Sequence, residues 1–543
     1  MVKFFYLLGI FFSIAAHGIM TDNIWISSNN DLSNTGQDGL MPQLAINGQT
    51  NTAICVWSNI DGINYNIQSS YSTDGGQNWF TLDVSAASSN DADQPQIAIN
   101  EKTNTAICIW RCNNGSIRII QSSYSTDGGQ SWSTPIDISA EVSEEPQIAI
   151  NEKTNRAICV WRKKSGSDYI IRSSYSTDGG QNWSTPTGIS AVGKDADQAQ
   201  ITINEQTNTA ICVWRLRDGS DYIVQSSYST DGGQNWSTPT GISAVWQWLG
   251  MQQIAMNEQT NRAICVWAHY NGSDSIIQSS YSSDGGQNWS TPIDVSAASL
   301  DADQSQITIN EQTNRAICVW YRYDGSYYII QSAYSTDGGQ NWSTPIDVSQ
   351  IGADSKEPKI GIDPQTNMAI CVWTRYDVGY NIVRSAYSTD GGQNWSTPMD
   401  VSDSAQFVCM AIPQIRINEE KSIPICVWNL YNGSDNIIQA AYFFIETGWM
   451  KVFLTEKSND FWLQRELVKE IQWPSICFAK CYNIYKNIEK GQVLRIKQDG
   501  KLPLVTLPNS ISNYILHRVK KGEVYYMTWE NSEGEESRPV IIY

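Results

Sequence analysis

Ser72-Thr73-Asp74-Gly75-Gly76-Gln77-Asn78-Trp79 occurs seven times, nearly letter for letter, along this 543-residue chain. The aspartates of the seven copies are Asp74, Asp127, Asp178, Asp231, Asp284, Asp337 and Asp390, spaced by 53, 51, 53, 53, 53 and 53 residues. A fixed period of this length means one supersecondary unit copied many times, each unit burying its apolar face against its neighbours.

The flanks of the octapeptide define that unit. At residues 305–347 it reads Ser-Gln-Ile-Thr-Ile-Asn, a turn at Glu311 to Asn314, Ala316-Ile-Cys-Val-Trp320, a variable loop, Tyr328-Ile-Ile-Gln-Ser-Ala-Tyr334, the octapeptide, then Ser343-Thr-Pro-Ile-Asp347. The apolar runs are short, rich in Ile, Val, Trp and Tyr, and bounded by Gly, Asn and Asp, which is the pattern of strands. Continuous runs such as Ala-Ile-Cys-Val-Trp suit strands covered on both faces. Four such strands per unit, closed into a ring, predict an all-β fold, a β-propeller. First strands begin at Gln43, Gln96, Gln147, Gln200, Gln253, Gln306, Lys359 and Gln414, giving eight blades, with seven as the alternative. The eighth unit has Tyr442-Phe-Phe-Ile-Glu-Thr-Gly-Trp449 in place of the octapeptide. Trp25-Ile-Ser-Ser, ahead of unit one, is spaced as a spare fourth strand that would pair with the last unit and close the ring.

Within the octapeptide, Asp accepts hydrogen bonds from backbone nearby, Gly supplies turn angles, and Trp contributes buried area. A structural turn is therefore expected at all seven copies, rather than a metal or sugar site. Eight cysteines (Cys55, Cys108, Cys159, Cys212, Cys265, Cys318, Cys371 and Cys426) share one slot of the repeat. Equivalent atoms in stacked sheets lie about 10 Å apart, beyond the ~7 Å Cα separation of a disulfide. These cysteines are expected to be small buried hydrophobes. Three histidines and no CxxC pair give no expectation of zinc or of any other cofactor.

Net charge is −19; residues 450–543 carry about +3, leaving about −22 on residues 1–449. Such acidity excludes a nucleic-acid partner and fits a soluble, self-repelling monomer. Lys3, the apolar run Phe4 to Ala16 and Ala16-His17-Gly18 read as a signal peptide over residues 1–18, implying a secreted or cell-envelope protein with no stable membrane span.

The octapeptide has the S-x-D-x-G-x-x-W form of the Asp box, or BNR repeat, and residues 19–449 resemble the propeller of sialidases. In that family the boxes lie at the periphery, away from the active site. The resemblance implies a possible exo-sialidase, which would need an arginine triad, a Tyr/Glu nucleophilic pair and an Asp acid/base. The family's first arginine sits in an Arg-Ile-Pro motif on the first strand. Here that slot reads Pro42-Gln-Leu-Ala-Ile-Asn47, and after Gly18 no arginine precedes Arg111. Arg416 stands in a different context in the last unit. No position matches a catalytic motif, so no catalytic residue is assigned.

The loops divide into an almost unchanging face, formed by the Asn-Glu-Gln-Thr-Asn turns and the boxes, and a variable one that is the expected binding surface. On the variable face, Trp246 and Trp248 occupy a connection that is polar in most other units. Tyr270, Tyr323, Tyr376 and Tyr431 recur at one loop position, and Arg322 and Arg375 lie beside two of them. These residues are candidates for ligand binding, by aromatic stacking on a sugar or by pairing with a carboxylate. Residues 450–543 resemble a fibronectin type III β-sandwich, with Trp473 on a second strand and Tyr525 as a candidate tyrosine corner. The leading expectation is an exported non-enzymatic protein that binds a glycan or a protein. An exo-sialidase-type hydrolase and a structural surface or envelope protein are the alternatives.

Overall fold

The computed structural model describes residues 24–444, apart from residues 29–30, 35, 61–64, 86–90, 298–300, 378–379, 403–411 and 432–433, together with seven strands after residue 454. Residues 1–18, expected to be a signal peptide, the part of Tyr442 to Trp449 beyond Phe444, and Trp473 lie outside the described residues.

Residues 24–444 form one unit of eight four-stranded antiparallel blades. Blade 1 has strands Asp38–Asn47, Thr52–Ile60, Tyr65–Ser72 and Phe80–Asp83 in sequential order, and blades 2 to 7 repeat this pattern. The first strands of consecutive blades touch one another in order, and the first strand of blade 8 touches that of blade 1, so they ring the central channel. Blade 8 takes its outer strand from the other end of the chain: Ile24–Ser27 pairs antiparallel with Asn436–Phe444, Trp25 opposite Phe443. The spare strand expected from the sequence closes the ring.

The second strands form the core. Ala53, Ile54, Cys55, Val56 and Trp57 have no solvent exposure, and the same run is buried in every blade. A fully buried aliphatic side chain contributes roughly 1.5–3 kcal/mol relative to an exposed one. The eight cysteines in this run are free and buried, and burial pushes their thiols up, as suits small core hydrophobes.

Two devices lock each blade to the next. In blades 1 to 6 the asparagine ending the first strand reaches across the seam: Asn47 Nδ2 donates to Glu101 O at 2.9 Å and to Asn104 Oδ1 at 2.8 Å. Asn418 Nδ2 donates to Asn51 Oδ1 at 2.9 Å and completes the circle. Blade 7 has Asp363 at this slot, which cannot donate; it accepts from Ser422 Oγ of blade 8 at 2.5 Å instead. On the outer side, the box tryptophans of blades 2, 3, 4, 6 and 7 bond to the preceding blade, as in Trp132 Nε1 to Ser69 Oγ and Trp183 Nε1 to Ser122 Oγ, both 2.9 Å, whereas Trp79 Nε1 donates to Gly76 O of its own box. Blade 8 has no box, and Trp25 takes that role, donating to Ser385 Oγ of blade 7 at 2.6 Å.

In blades 1 to 4, 6 and 7 the first strand is longer than the sequence pattern suggested because it runs on through a bulge, whereas Gln253–Asn257 and Gln414–Asn418 of blades 5 and 8 are short and regular. Blade 6 begins at Ala302 rather than Ser305, with the register shifting between Asp303 and Gln306. At the bulge Gln304 adopts φ +53°, and Met41, Gln94, Glu145, Gln198 and Glu357 do the same in their blades. These are non-glycine residues, so the sequence carries no glycine signal for the bulge. The fourth strand is shorter than expected, only Ile346–Asp347 in blade 6.

The second unit, after residue 444, contains two antiparallel sheets. One orders Thr455–Lys457, Val468–Gln472 and Asn513–Leu516; the other orders Val505–Pro508, Cys481–Lys486, Tyr525–Glu530 and Val540–Ile542.

Trp25→Ala should lower the stability of the propeller by about 2 kcal/mol, short of the full cost of a large core truncation because the ring is only half-buried. Phe80→Ala, at an exposed site on the outer strand of blade 1, should cost less than half of that. Urea unfolding midpoints of the two variants check the order; equal midpoints would show that the N-terminal strand is not holding the ring shut.

Candidate functional site: the variable face of the ring

The Asp boxes belong to the opposite, invariant face. Ser72 Oγ donates to Asp74 Oδ1 at 2.7 Å, and the same oxygen accepts the backbone N–H groups of Gln77 and Asn78 at 3.0 Å. Asn78 Nδ2 donates to Asp74 Oδ2 at 2.8 Å. Gly75 N donates to Asn51 O at 3.1 Å, which puts the box on the same face as the first-to-second-strand turn. In the later boxes burial works against the charge of Asp178, Asp337 and Asp390, but hydrogen bonds from Asn, Ser and backbone N–H groups outweigh it and hold these carboxyls below the usual range. The oxygens of each Asp are occupied within its own turn.

Six glutamates ring the channel mouth on this face. Glu101, Glu152, Glu205, Glu258 and Glu311 follow the seam asparagines, and Glu419 follows Asn418. Glu152 N donates to the Glu205 carboxylate and Glu205 N to that of Glu258, both at 3.2 Å. Lys102 Nζ lies 3.0 Å from Glu205 and 3.9 Å from Glu152. Burial first, and then repulsion among the ring members, pushes Glu258 up to about 8 and Glu152 and Glu419 to about 7. Among the described residues no group of three or more His, Cys, Asp or Glu is placed to hold a metal ion.

The variable face differs from blade to blade. Tyr270, Tyr323, Tyr376 and Tyr431 occupy one register position near the end of the second strand, opposite Ser275, Tyr328, Asn381 and Asn436. Tyr270 and Tyr323 are exposed. Their hydroxyls donate to Gly272 O at 2.9 Å and Gly325 O at 3.0 Å, which fixes the rings over the loops. Tyr376 and Tyr431 are half-buried. The two tryptophans of the blade 4–5 connection separate. Trp246 packs inward, its ring 3.8 Å from that of buried His269 and its backbone bridged to Tyr222. Trp248 stays 38% exposed beside exposed Met251, above fully buried Leu249. Trp248, Tyr270 and Trp246 thus belong to the blade 4–5 side of the face, with Tyr323 one blade further on. Arg322 Nη2 lies 3.4 Å from Asp347, and Arg375 is half-buried with polar interactions of its own.

Three further arginines share one slot, directly after the buried tryptophans of blades 2 to 4, and each meets an acid from its own blade's first strand. Arg111 grips Asp93 through both Nε and Nη2, Arg162 Nη2 lies 2.7 Å from Glu144, and Arg215 holds Asp197 through Nε at 2.9 Å and Nη2 at 2.8 Å. Glu144 also receives Arg118 at 3.1 Å. Burial opposes the charge of Glu144, but the hydrogen bonds from Arg162 and Arg118 prevail and keep its carboxyl below the usual range. A polar cleft of about 220 Å³ opens here, lined by Tyr65, Asp91, Asp93, Arg111, Asn113 and Arg118. The arginines could be seen in the sequence but their acids could not, because the bulge sets where Asp93, Glu144 and Asp197 fall. The bulge residues also link blades along the channel: Glu145 N donates to Gln94 Oε1, and Gln198 N to Glu145 Oε2, both at 3.0 Å.

The BNR/Asp-box repeat family matches residues 333–344 and 386–397. No curated protein matches the chain. Solved structures with a similar trace include the Hadza microbial sialidase Hz136 (12% identity, TM-score 0.37, covering 72% of this chain and 76% of that one). They also include the polysaccharide lyase Uly1 (9%, TM-score 0.42, 74% and 89%). A third is the intramolecular trans-sialidase from Ruminococcus gnavus (14%, TM-score 0.35, 80% and 99%). These likenesses are distant, and the propeller assignment rests on the ring of blades itself.

The two sets of carboxylates give stability opposite pH dependences. Asp127, Asp178, Asp231, Asp284, Asp337 and Asp390 have depressed pKa values, so their contribution is present above the unfolded value near 4 and is lost as pH falls. Glu152, Glu258 and Glu419 have raised values, so their contribution is present below about 4.5 and is lost as pH rises through 7 to 8. Melting temperature should therefore peak at about pH 5 and decline toward pH 8.5. Glu258→Gln should flatten the alkaline decline and raise the melting temperature at pH 8; a profile unchanged by this substitution would contradict the ring's role.

Proposed function

We propose that this is an exported, non-enzymatic binding protein that recognises a glycan through the variable face of its sialidase-like propeller. The observation that carries the reading is the pair of exposed tyrosines, Tyr270 and Tyr323, whose hydroxyls are tied to backbone carbonyls at 2.9 and 3.0 Å. Rings held in this way present their faces at little entropic cost, and sugar rings stack on such faces. Trp248 adds a third exposed ring on the same part of the face. A protein ligand would use the same aromatic rim. Tyr376, Tyr431 and Trp246 serve as its support, and Arg322 and Arg375 supply charge at its edge.

Against an exo-sialidase reading stands the pairing of Arg111, Arg162 and Arg215 with acids of their own blades. A guanidinium already engaged by a carboxylate is poorly placed to grip a substrate carboxylate. The strand orders of the C-terminal unit, three and four antiparallel strands, support a fibronectin type III-like module, which would space or display the propeller outside the cell.

Glycan-array binding by the protein without its first 18 residues, compared with a Trp248→Ala/Tyr270→Ala/Tyr323→Ala variant, tests the proposal. Binding reduced about tenfold or more in the variant, as expected for the loss of two or three stacked rings, supports it. Binding unaffected by the three substitutions, or no glycan bound at all, sinks it in favour of a protein partner or a structural role.

A further inference from the structure

The repeat allows each blade to be compared slot by slot, and two slots of the channel wall break the pattern together. The slot of Lys359 holds glutamine in all seven other blades, from Gln43 to Gln414. The slot of Arg416 holds only Ala, Thr or Gly elsewhere, as in Ala45, Thr308 and Gly361. The two cations lie on the first strands of blades 7 and 8, which are in contact; a Cβ on Gly361 would stand 3.2 Å from Ile417 across that seam. Neither cation forms an ion pair among the described residues. Lys359 Nζ reaches only Gln306 Oε1 at 3.3 Å, and Arg416 Nη1 donates only to Ile415 O, at 2.9 Å. The acid that acts on Lys359, Glu357, accepts a hydrogen bond from Gln304 Nε2 at its Oε1, at 3.0 Å.

Their electrostatic situation agrees with the geometry. Enclosure by the channel wall brings the Lys359 ammonium down to about 8; Glu357 opposes that shift and Arg416 adds to it. Arg416 is exposed to solvent, so its guanidinium stays charged. Two like charges on neighbouring strands of the channel wall destabilise each other unless an anion lies near them. The remainder of the propeller is strongly acidic, so a positive pair here is contrary to the general charge.

We propose that Lys359 and Arg416 form an anion site in the central channel, at the seam of blades 7 and 8, that takes a single oxyanion group: carboxylate, sulfate or phosphate. The ammonium supplies a point charge and the guanidinium a planar fork of donors, a combination suited to an oxyanion. The glutamine of blade 6 at the same level, Gln306, adds an amide that can turn toward the anion. The site lies inside the ring and uses none of the aromatic residues of the variable face, so it stands independently of the glycan reading.

The test exchanges both residues for those the repeat itself uses. Lys359→Gln/Arg416→Ala places glutamine and alanine where other blades already carry them, so the variant should fold with a melting temperature equal to or above that of the parent in chloride. Melting is then followed at constant ionic strength with inorganic sulfate, inorganic phosphate or glucuronate replacing chloride; the first two report a free oxyanion and the third one borne on a larger ligand. The site predicts that at least one of them raises the melting temperature of the parent by several degrees more than that of the variant. Equal shifts in both proteins, or no shift in the parent with any of the three, would overturn it. Glycan binding by the same variant should be unchanged, which separates failure of this site from failure of the variable-face reading.

Discussion

The fold depends on how closely one blade can approach the next. At each box-bearing seam the second glycine of the box, with φ between +86° and +95°, lies against an isoleucine from the buried second strand of the preceding blade. A Cβ on Gly129 would stand 3.0 Å from Ile54, and one on Gly286 would stand 2.9 Å from Ile211. Only glycine satisfies both the backbone angle and the approach. The box is therefore a spacer of zero thickness: its aspartate organises the turn, its tryptophan reaches back over the seam, and its glycine lets the two sheets meet. A single blade cannot bury its faces, and stability comes from making this seam seven times and closing the circle at the eighth with Trp25.

Because the seam is made by repeated residues, it was legible in the sequence. The period gave the blades, the spacing of Trp25 gave the closing strand, and the common slot of the cysteines marked them as core. Features that depend on backbone detail were not legible. The bulges occur at Met41, Gln94, Glu145, Gln198, Gln304 and Glu357, where no glycine signals a positive φ. Those bulges determine which acids face Arg111, Arg162 and Arg215. Nor could sequence alone separate Trp246, folded onto His269, from Trp248, two residues later and exposed; alternation in a connection with isolated bridges has no reliable signature. Arg416 was visible as an exception, but its significance appeared only beside Lys359 on the neighbouring strand.

Division of labour between the two faces follows from the same repetition. Turns that stitch blades together are held to one solution: Asn47 and its equivalents bond across the seam, and box aspartates have their oxygens filled locally. Loops on the opposite face are free of that duty. There the blades diverge into an arginine–acid sector at blades 2 to 4 and an aromatic sector at blades 5 and 6. The variable face thus presents arginines paired with acids in one sector and tyrosine rings held by their own hydroxyls in another.

Hydrolysis of a fluorogenic sialoside by the purified protein tests the non-enzymatic reading most directly. The account predicts release no faster than with the heat-denatured protein across about pH 4 to 8, the range in which glycosidase carboxyls operate. Turnover above that control, abolished by Arg111→Ala or Arg162→Ala, would contradict it and show that the ion-paired arginines open to receive a substrate.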